Sequence, residues 1–161
     1  MMKEDLPKII IEILRKNNQT LSIAESCTGG LLSYQFTKIS GASNVFVGSV
    51  VSYQNLSKMR ILGVKQELLD LHSPYSNEVV ESMLIGVMKL SDSTFGLATS
   101  GLASGSDFRD IKVGNVFIGF KEKNKDSIII KKFFKGNREE VQLNATIAAI
   151  ELLYKNIDKT H

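Results

Sequence analysis

The sequence predicts an α/β fold: a three-layer α/β/α sandwich with a mixed, mostly parallel central sheet and a C-terminal hairpin. Two observations support this prediction. Short apolar runs alternate with amphipathic runs through the first part of the chain, which favours parallel strands joined by helices. Two β-branched runs then flank a short polar turn at 122–126, which indicates an antiparallel hairpin.

The first half of the chain reads as helix, strand, helix, strand. Apolar residues recur at helical spacing over about 3–16, and the apolar run 21–24 predicts a short buried strand. An amphipathic run over 31–39 predicts a helix that starts at two glycines. The run 45–53 is β-branched and aromatic, which favours a second strand.

The second half begins with two short helices. Gly63 is suited to cap a helix over 57–62, and Pro74 interrupts another over 65–71. Ser76 is suited to cap a long helix with a strong apolar stripe. The remaining predicted elements are a strand over 95–100, a loop over 101–112, hairpin strands over 113–121 and 127–134, and a last helix that begins at Gly136-Asn137.

Composition limits the class of protein. A chain of 161 residues fits one domain spanning 1–161, and 43% hydrophobic with 23% charged residues is ordinary for a soluble globular protein. No apolar run is long enough to span a membrane, and the charged N-terminus does not resemble a signal sequence, so we expect a cytoplasmic protein. With one cysteine, Cys27, and two histidines, His72 and His161, we expect no disulfide and no metal site.

A group of lysines lies near the predicted hairpin. It is open to two interpretations: a basic surface for nucleic acid or an acidic partner, or a solvated hairpin whose charges discourage pairing between sheet edges. We favour the second, and expect no nucleic-acid partner, because no aromatic residues are interleaved to stack on bases. The lysines are Lys121, Lys123, Lys125, Lys131, Lys132 and Lys135.

The stretch between the first strand and the second helix carries the main chemical signal. It reads Ala24-Glu25-Ser26-Cys27-Thr28-Gly29-Gly30. Small hydroxyls and bare peptide N–H groups at the positive end of a helix bind anions or oxyanions, and the glycines permit close approach of a ligand. Ser26 is a candidate nucleophile within this turn.

A serine nucleophile needs a base. His72 precedes a Ser-Pro break and His161 is the last residue, so a lysine with a lowered pKa is the remaining candidate. Lys58 follows a strand end near Tyr53, and one helical turn brings its side chain back over that end. From these residues alone, the commoner interpretation of Lys58 is an exposed helical lysine. The commoner interpretation of Tyr53 is a tyrosine in the core or at a rim.

Six sequence blocks together resemble the CinA C-terminal domain family, in order and spacing, over about 5–155. The family includes bacterial nicotinamide mononucleotide deamidases. The blocks are Ala24-Glu25-Ser26-Cys27-Thr28-Gly29-Gly30, Ser52-Tyr53-Gln54-Asn55 to Lys58, Ile61-Leu62-Gly63-Val64, Ser100-Gly101-Leu102-Ala103, Val113-Gly114-Asn115-Val116 and Phe134-Lys135-Gly136-Asn137-Arg138.

This resemblance implies hydrolysis of the carboxamide of nicotinamide mononucleotide, without a metal or a dissociable cofactor. It implies Ser26 as nucleophile, Lys58 as base and Tyr53 as a residue that holds the pair. Arg138 would bind a substrate anion or help to keep Lys58 neutral. By the same analogy we expect a pyridine mononucleotide as partner, a homodimer and no membrane association.

Further substrate contacts are expected around the nucleophile. The resemblance places a hydroxyl near the substrate at Ser100, before Gly101. Peptide N–H groups near Thr28, Gly29 and Gly30 are the physically sensible oxyanion hole. We expect Cys27 to serve packing and Glu25 to orient the loop.

Two departures from the family pattern leave alternatives open. The family usually continues Gly-Pro-x-Gly-Gly after Ala103, where this chain has Ser104-Gly105-Ser106-Asp107-Phe108. A second arginine often found in the family is Gln142 here. The alternative to an amidohydrolase is therefore a non-catalytic pyridine-nucleotide-binding module, and a competence-linked DNA adaptor is a third reading supported only by the lysines.

Overall fold

The computed structural model describes residues 6–157. The elements are α1 (Leu6–Lys16), β1 (Leu21–Glu25), α2 (Leu31–Thr37), β2 (Phe46–Val51), α3 (Asn55–Leu62), α4 (Gln66–His72), α5 (Asn77–Ser91), β3 (Phe95–Gly101), β4 (Asn115–Glu122), β5 (Ile128–Phe133) and α6 (Arg138–Asn156). Each predicted helix and strand is present, with bounds that shift by a few residues; the first residues predicted for α1, 3–5, lie outside the described part. None of the helices within 6–157 is both long and apolar enough to cross a bilayer.

The five strands form one open sheet in the order β2-β1-β3-β4-β5. β1 pairs in parallel with β2 and β3, whereas β4 pairs antiparallel with both β3 and β5. Four strands therefore run in one direction and β4 runs against them. The α/β class, the mostly parallel mixed sheet and the C-terminal hairpin are confirmed.

Helices cover both faces of the sheet. The central strands β1 and β3 are buried along their whole length, as strands covered on both faces must be. Ile23 and Leu97 pack in a core cluster with residues of α1, α2 and α6, whereas Ala24 and Ala98 pack in a second cluster with residues of α5. Alternation along each strand thus builds two cores, and the three-layer prediction is confirmed.

α3 is held close to the body of the protein by α5. A Cβ atom built on Gly86 of α5 would lie 2.1 Å from the carbonyl oxygen of Leu62, the last residue of α3. Only a glycine allows the two helices to approach this closely. Gly63 then ends α3 in the left-handed conformation, as predicted.

The carboxyl ends of the parallel strands meet at one edge of the sheet. The peptide N–H of Ser26, just after β1, donates to the carbonyl oxygen of Thr99 in β3 at 3.0 Å. On the other side, the N–H of Ser52 after β2 donates to the carbonyl oxygen of Glu25 at 2.8 Å. This edge is where open α/β sheets bind their ligands.

The lysines of the hairpin region make local contacts. Lys123 pairs with Asp92 and Lys125 with Glu122, each at 2.8 Å, and Lys121 donates to the carbonyl oxygen of Lys125. Such contacts are typical of a solvated hairpin, the interpretation favoured above. The absence of a nucleic-acid partner stays a prediction.

Candidate active site

Ser26 and Lys58 meet at the ligand-binding edge of the sheet. The Lys58 Nζ atom donates to the Ser26 Oγ atom at 3.1 Å and to the Ser52 carbonyl oxygen at 2.9 Å. Lys58 is only 1% exposed and Ser26 only 5% exposed. The lysine is therefore not the exposed helical residue that is commonest for its type, and its amine is within reach of the serine hydroxyl.

The start of α3 aims Lys58 inward. Gln54 has extended backbone angles and precedes the first residue of α3, Asn55. The peptide N–H of Lys58 donates to the carbonyl oxygen of Gln54 at 3.1 Å, which closes the first turn of the helix. Because side chains of a helix lean toward its N-terminus, the Lys58 side chain points back to the end of β2.

Burial changes the acidity of the Lys58 amine. Desolvation lowers the pKa of Lys58 from 10.5 to about 8, while the nearby Cys27 acts in the opposite direction. With a pKa near 8, roughly a tenth of the amine is neutral at pH 7. Because burial causes the shift, Lys58 needs no neighbouring cation to become a usable base.

Glu25 organises the turn that carries Ser26. Its buried carboxylate accepts hydrogen bonds from the Thr28 hydroxyl at 2.6 Å and from the Leu32 and Ser33 N–H groups at 3.0 Å. It also accepts from the Gly30 N–H at 3.2 Å and from the Ser33 hydroxyl. A carboxylate at this place stabilises the positive end of α2, so the loop-orienting role expected of Glu25 is confirmed.

The same turn engages two of the N–H groups expected in the oxyanion hole. The N–H of Gly29 donates to the carbonyl oxygen of Ser26 at 3.1 Å, and the N–H of Gly30 donates to Glu25. Neither is available to a ligand. Among the described residues, the N–H groups of Cys27 and Thr28 donate to no backbone acceptor, and of these two residues only Cys27 lines the pocket.

Tyr53 and Arg138 lie together at the mouth of the site. The Tyr53 side chain is 56% exposed, and its hydroxyl accepts a hydrogen bond from the Arg138 guanidinium at 2.9 Å. Arg138 is the first residue of α6 and lies between Asn137 and Glu140, which form a capping box. Among the described residues, the Tyr53 hydroxyl bonds to Arg138 and not to Ser26 or Lys58; its role in holding that pair stays a prediction.

The site is a pocket of about 140 Å³. Five of the residues singled out from the sequence line it: Ser26, Lys58, Tyr53, Gly101 and Arg138. A cavity of about 150 Å³ in another protein binds benzene, so this pocket has room for one six-membered ring. The rest of a larger ligand would extend past the mouth.

Four other candidates do not line the pocket. Thr28, Gly29, Gly30 and Ser100 are not among its lining residues. The buried Ser100 hydroxyl donates to the carbonyl oxygen of Pro74 at 2.8 Å, which ties β3 to the connection between α4 and α5. In this structure Ser100 supports the wall, and direct contact with substrate stays a prediction.

Asn55 and Tyr75 are among the lining residues that were not predicted from the sequence as site residues. Asn55 is adjacent to the Tyr53-Gln54 pair in sequence, so a closer reading of that block could have found it. Tyr75 lies between α4 and α5, and no local pattern connects it with β1. Only the packing of α5 on the sheet brings it to the pocket.

The two departures from the family pattern have defined contacts. In the loop after β3, the Asp107 carboxylate accepts from the Val113 N–H at 2.9 Å, and the Arg109 guanidinium donates to the Asp70 carbonyl oxygen at 3.1 Å. Gln142, one turn after Arg138 on α6, donates to the Cys27 carbonyl oxygen at 2.9 Å. Gln142 thus holds the turn that contains Ser26, at the position where the family often has an arginine.

Comparisons with known proteins agree with this fold. The family model for the CinA C-terminal domain matches residues 3–157. A CinA-like protein of Thermotoga neapolitana is 37% identical over 158 residues, which cover 98% of this chain and 38% of that protein. A CinA-like protein of Petrotoga mobilis is 43% identical over 141 residues, covering 87% of this chain and 35% of that one. The chain therefore spans little more than a third of the length of these relatives.

Solved structures match over nearly the whole chain. A competence/damage-inducible protein of Agrobacterium tumefaciens superposes with a TM-score of 0.91 at 30% identity, covering 95% of this chain and 94% of that one. A competence damage-inducible protein of Klebsiella pneumoniae gives a TM-score of 0.94 at 23% identity and covers both chains fully. The second likeness is one of fold alone.

Proposed function

The chain belongs to the CinA C-terminal domain family, and on that premise we propose that it is an amidohydrolase. Its substrate in this proposal is nicotinamide mononucleotide, and its products are nicotinic acid mononucleotide and ammonia. One observation carries the proposal: the buried Lys58 amine lies 3.1 Å from the Ser26 hydroxyl oxygen inside a pocket. A hydroxyl paired with an amine of lowered pKa is a nucleophile with its base.

The first half-reaction forms an ester. The neutral Lys58 amine takes the proton of the Ser26 hydroxyl, and the Oγ atom bonds to the carboxamide carbon. The carbonyl oxygen becomes an oxyanion. Lys58 then gives its proton to the amide nitrogen, the C–N bond breaks, and ammonia leaves while the acyl group remains on Ser26.

The second half-reaction uses water. Lys58, neutral again, takes a proton from a water molecule, and the resulting hydroxide attacks the ester carbon. The bond between that carbon and Oγ breaks, and Lys58 returns its proton to Ser26. The carboxylic acid product ionises and leaves, so the residues end in their starting state.

A peptide donor and a guanidinium complete the proposed site. Cys27 follows the nucleophile directly and lines the pocket, so we assign its peptide N–H as the donor to the oxyanion. Arg138 lines the mouth, and its planar guanidinium matches the geometry of a phosphate group. The ring would then lie inside the pocket and the phosphate outside it.

The test is ammonia release from three substrates: nicotinamide, its mononucleotide and the dinucleotide. We expect release from the mononucleotide by the unaltered protein, and none above background by Ser26→Ala with an unchanged circular dichroism spectrum. If the unaltered protein releases no ammonia from any of the three, the proposal is wrong. A rise in melting temperature with the mononucleotide but no product would identify the alternative, a non-catalytic binding module.

A further inference from the structure

Tyr75 is a pocket residue that the proposed mechanism does not use. It lies in the connection between α4 and α5 and lines the same pocket as Ser26 and Lys58. Part of its ring packs against the apolar cluster beneath α5. An aromatic ring with one part in the core and another part at the reaction site is placed to contact the substrate.

The connection around Tyr75 holds its backbone in place. The Tyr75 N–H donates to the Ser73 hydroxyl oxygen at 3.1 Å. The carbonyl oxygen of the preceding residue, Pro74, accepts the buried Ser100 hydroxyl. Tyr75 is thus tied to both the α4 end and the carboxyl end of β3.

The ring of Tyr75 is also supported from outside the pocket. The Phe108 ring lies perpendicular to it, with centroids 5.6 Å apart and an interplanar angle of 83°. The Arg109 guanidinium lies 5.3 Å from the Phe108 ring centroid, and it also donates to the Asp70 carbonyl oxygen. Phe108 and Arg109 belong to the loop that departs from the family pattern, so that departure supplies the support of the Tyr75 ring.

Two properties decide which ligand suits the part of the pocket that Tyr75 lines. They are the volume of the pocket and the electrostatic potential of the tyrosine ring. The pocket volume of about 140 Å³ fits one six-membered ring beside the Ser26–Lys58 pair. The face of a tyrosine ring carries negative potential, which attracts a cation or an electron-poor ring. A nicotinamide ring substituted at its ring nitrogen is such a cation, whereas free nicotinamide is neutral.

We propose that Tyr75, backed by Phe108, is a specificity-determining residue that selects N-substituted pyridinium carboxamides over neutral carboxamides. This inference rests on the proposed function, because it assigns the substrate class of the same pocket. Burial raises the pKa of Tyr75, and the nearby Cys27 and Tyr53 raise it further, so the phenol ring stays neutral at physiological pH. The attraction therefore comes from the ring face and not from a phenolate.

The experiment measures binding without turnover. N1-methylnicotinamide, a cation, and nicotinamide, its neutral counterpart, are titrated by calorimetry into Ser26→Ala, Ser26→Ala/Tyr75→Phe and Ser26→Ala/Tyr75→Leu. We expect Tyr75→Phe to keep both affinities within about two-fold, and Tyr75→Leu to weaken the cation about ten-fold, the scale of a cation–aromatic contact. The neutral amide should lose clearly less.

Matched variants test position and fold. Tyr34 is a 58% exposed tyrosine on α2 that does not line the pocket, so Tyr34→Leu should bind both probes as the parent does. Phe108→Leu removes the ring behind Tyr75 and should weaken the cation about three-fold, part of the energy of an aromatic pair. Each variant is checked by thermal melting.

The outcomes separate this inference from the proposed function. Equal binding of the cation by Tyr75→Leu and its parent overturns the inference, as does an equal loss for both probes or no binding of the cation by the parent. Because these titrations use Ser26→Ala, they can be interpreted even if the unaltered protein releases no ammonia. Conversely, ammonia release with an unchanged KM in Tyr75→Leu overturns the inference and leaves the proposed function standing.

Discussion

The floor of the pocket, formed by Ser26 and Lys58, and its mouth, formed by Tyr53 and Arg138, differ in their exposure to solvent. At the floor, Ser26 and Lys58 are buried, and burial lowers the pKa of the amine to about 8. At the mouth, Tyr53 and Arg138 are exposed, and their hydrogen bond competes with water. In the proposed function, desolvation at the floor therefore makes Lys58 a usable base, whereas the Arg138 charge assigned to the ligand remains in solvent.

The largest expected effect comes from removing the amine at the floor. Lys58→Met keeps the length and the apolar stem of the side chain but removes the base. We expect kcat for ammonia release to fall about 10³-fold, within the range of general acid–base catalysis. Lys65→Met, which removes an exposed lysine at the start of α4, is the matched control and should retain full activity. Equal activity of both variants would contradict the assignment of Lys58.

The same buried amine should affect stability in a pH-dependent way. The folded pKa of about 8 lies below the model-peptide value of 10.5, so between these values the unfolded chain binds more protons than the folded one. The free energy of unfolding should therefore rise as the pH increases from 8 to 10.5, by an amount on the order of 3 kcal/mol relative to Lys58→Met. Urea titrations of both proteins measure this difference. Parallel pH curves for the two proteins would show that Lys58 is protonated as readily in the fold as in water.

The pH dependence of kcat/KM is a third test of the role assigned to Lys58. A base with a pKa of about 8 is protonated below that pH, so kcat/KM should rise about ten-fold per pH unit up to about 8 and then level off. Initial rates of ammonia release between pH 6 and 9.5 measure the profile. A flat profile over this range would contradict a lysine base.

Substitutions at the mouth should have smaller effects than those at the floor, and they should change KM instead of kcat. Arg138→Gln removes the cation that we assign to the substrate phosphate, and we expect KM for the mononucleotide to rise about ten-fold with little change in kcat. Arg60→Gln, an exposed arginine of α3 that does not line the pocket, is the matched control. A loss confined to kcat would mean that Arg138 acts on the reacting atoms, and the distinction between floor and mouth would fail.

Much of the fold was predictable because its signals are local. Helical spacing in α1 and α5, the Ser76 cap of α5, the glycine end of α3 and the β-branched runs of the hairpin each depend on neighbouring residues. The order of these elements then favoured a mixed sheet with helices on both faces. The predicted bounds differ from the observed ones by about two residues at helix ends, such as that of α2, as well as at strand ends, such as that of β2.

The site was predictable only in part. Its residues Ser26 and Lys58 came from a turn motif and a family resemblance, whereas the expected donors Gly29 and Gly30 are occupied within the protein. The hydrogen bonds that occupy these two N–H groups join residues close in sequence. Which N–H group meets which acceptor nevertheless depends on the bent backbone path of the turn, which the sequence does not show. No sequence pattern indicated that Tyr75 lines the pocket.

The amino-acid sequence alone determines which elements form, their order, and where a serine and two glycines meet the start of a helix. The tertiary structure decides how acidic the Lys58 ammonium is, because desolvation depends on α3 packing against α5 at Gly86 and against the ends of β1 and β2. It also brings Tyr75 into the same pocket as Ser26, which lies 49 residues earlier in the chain. Spacing along a chain sets local hydrogen bonds, but water is excluded only where distant segments pack together.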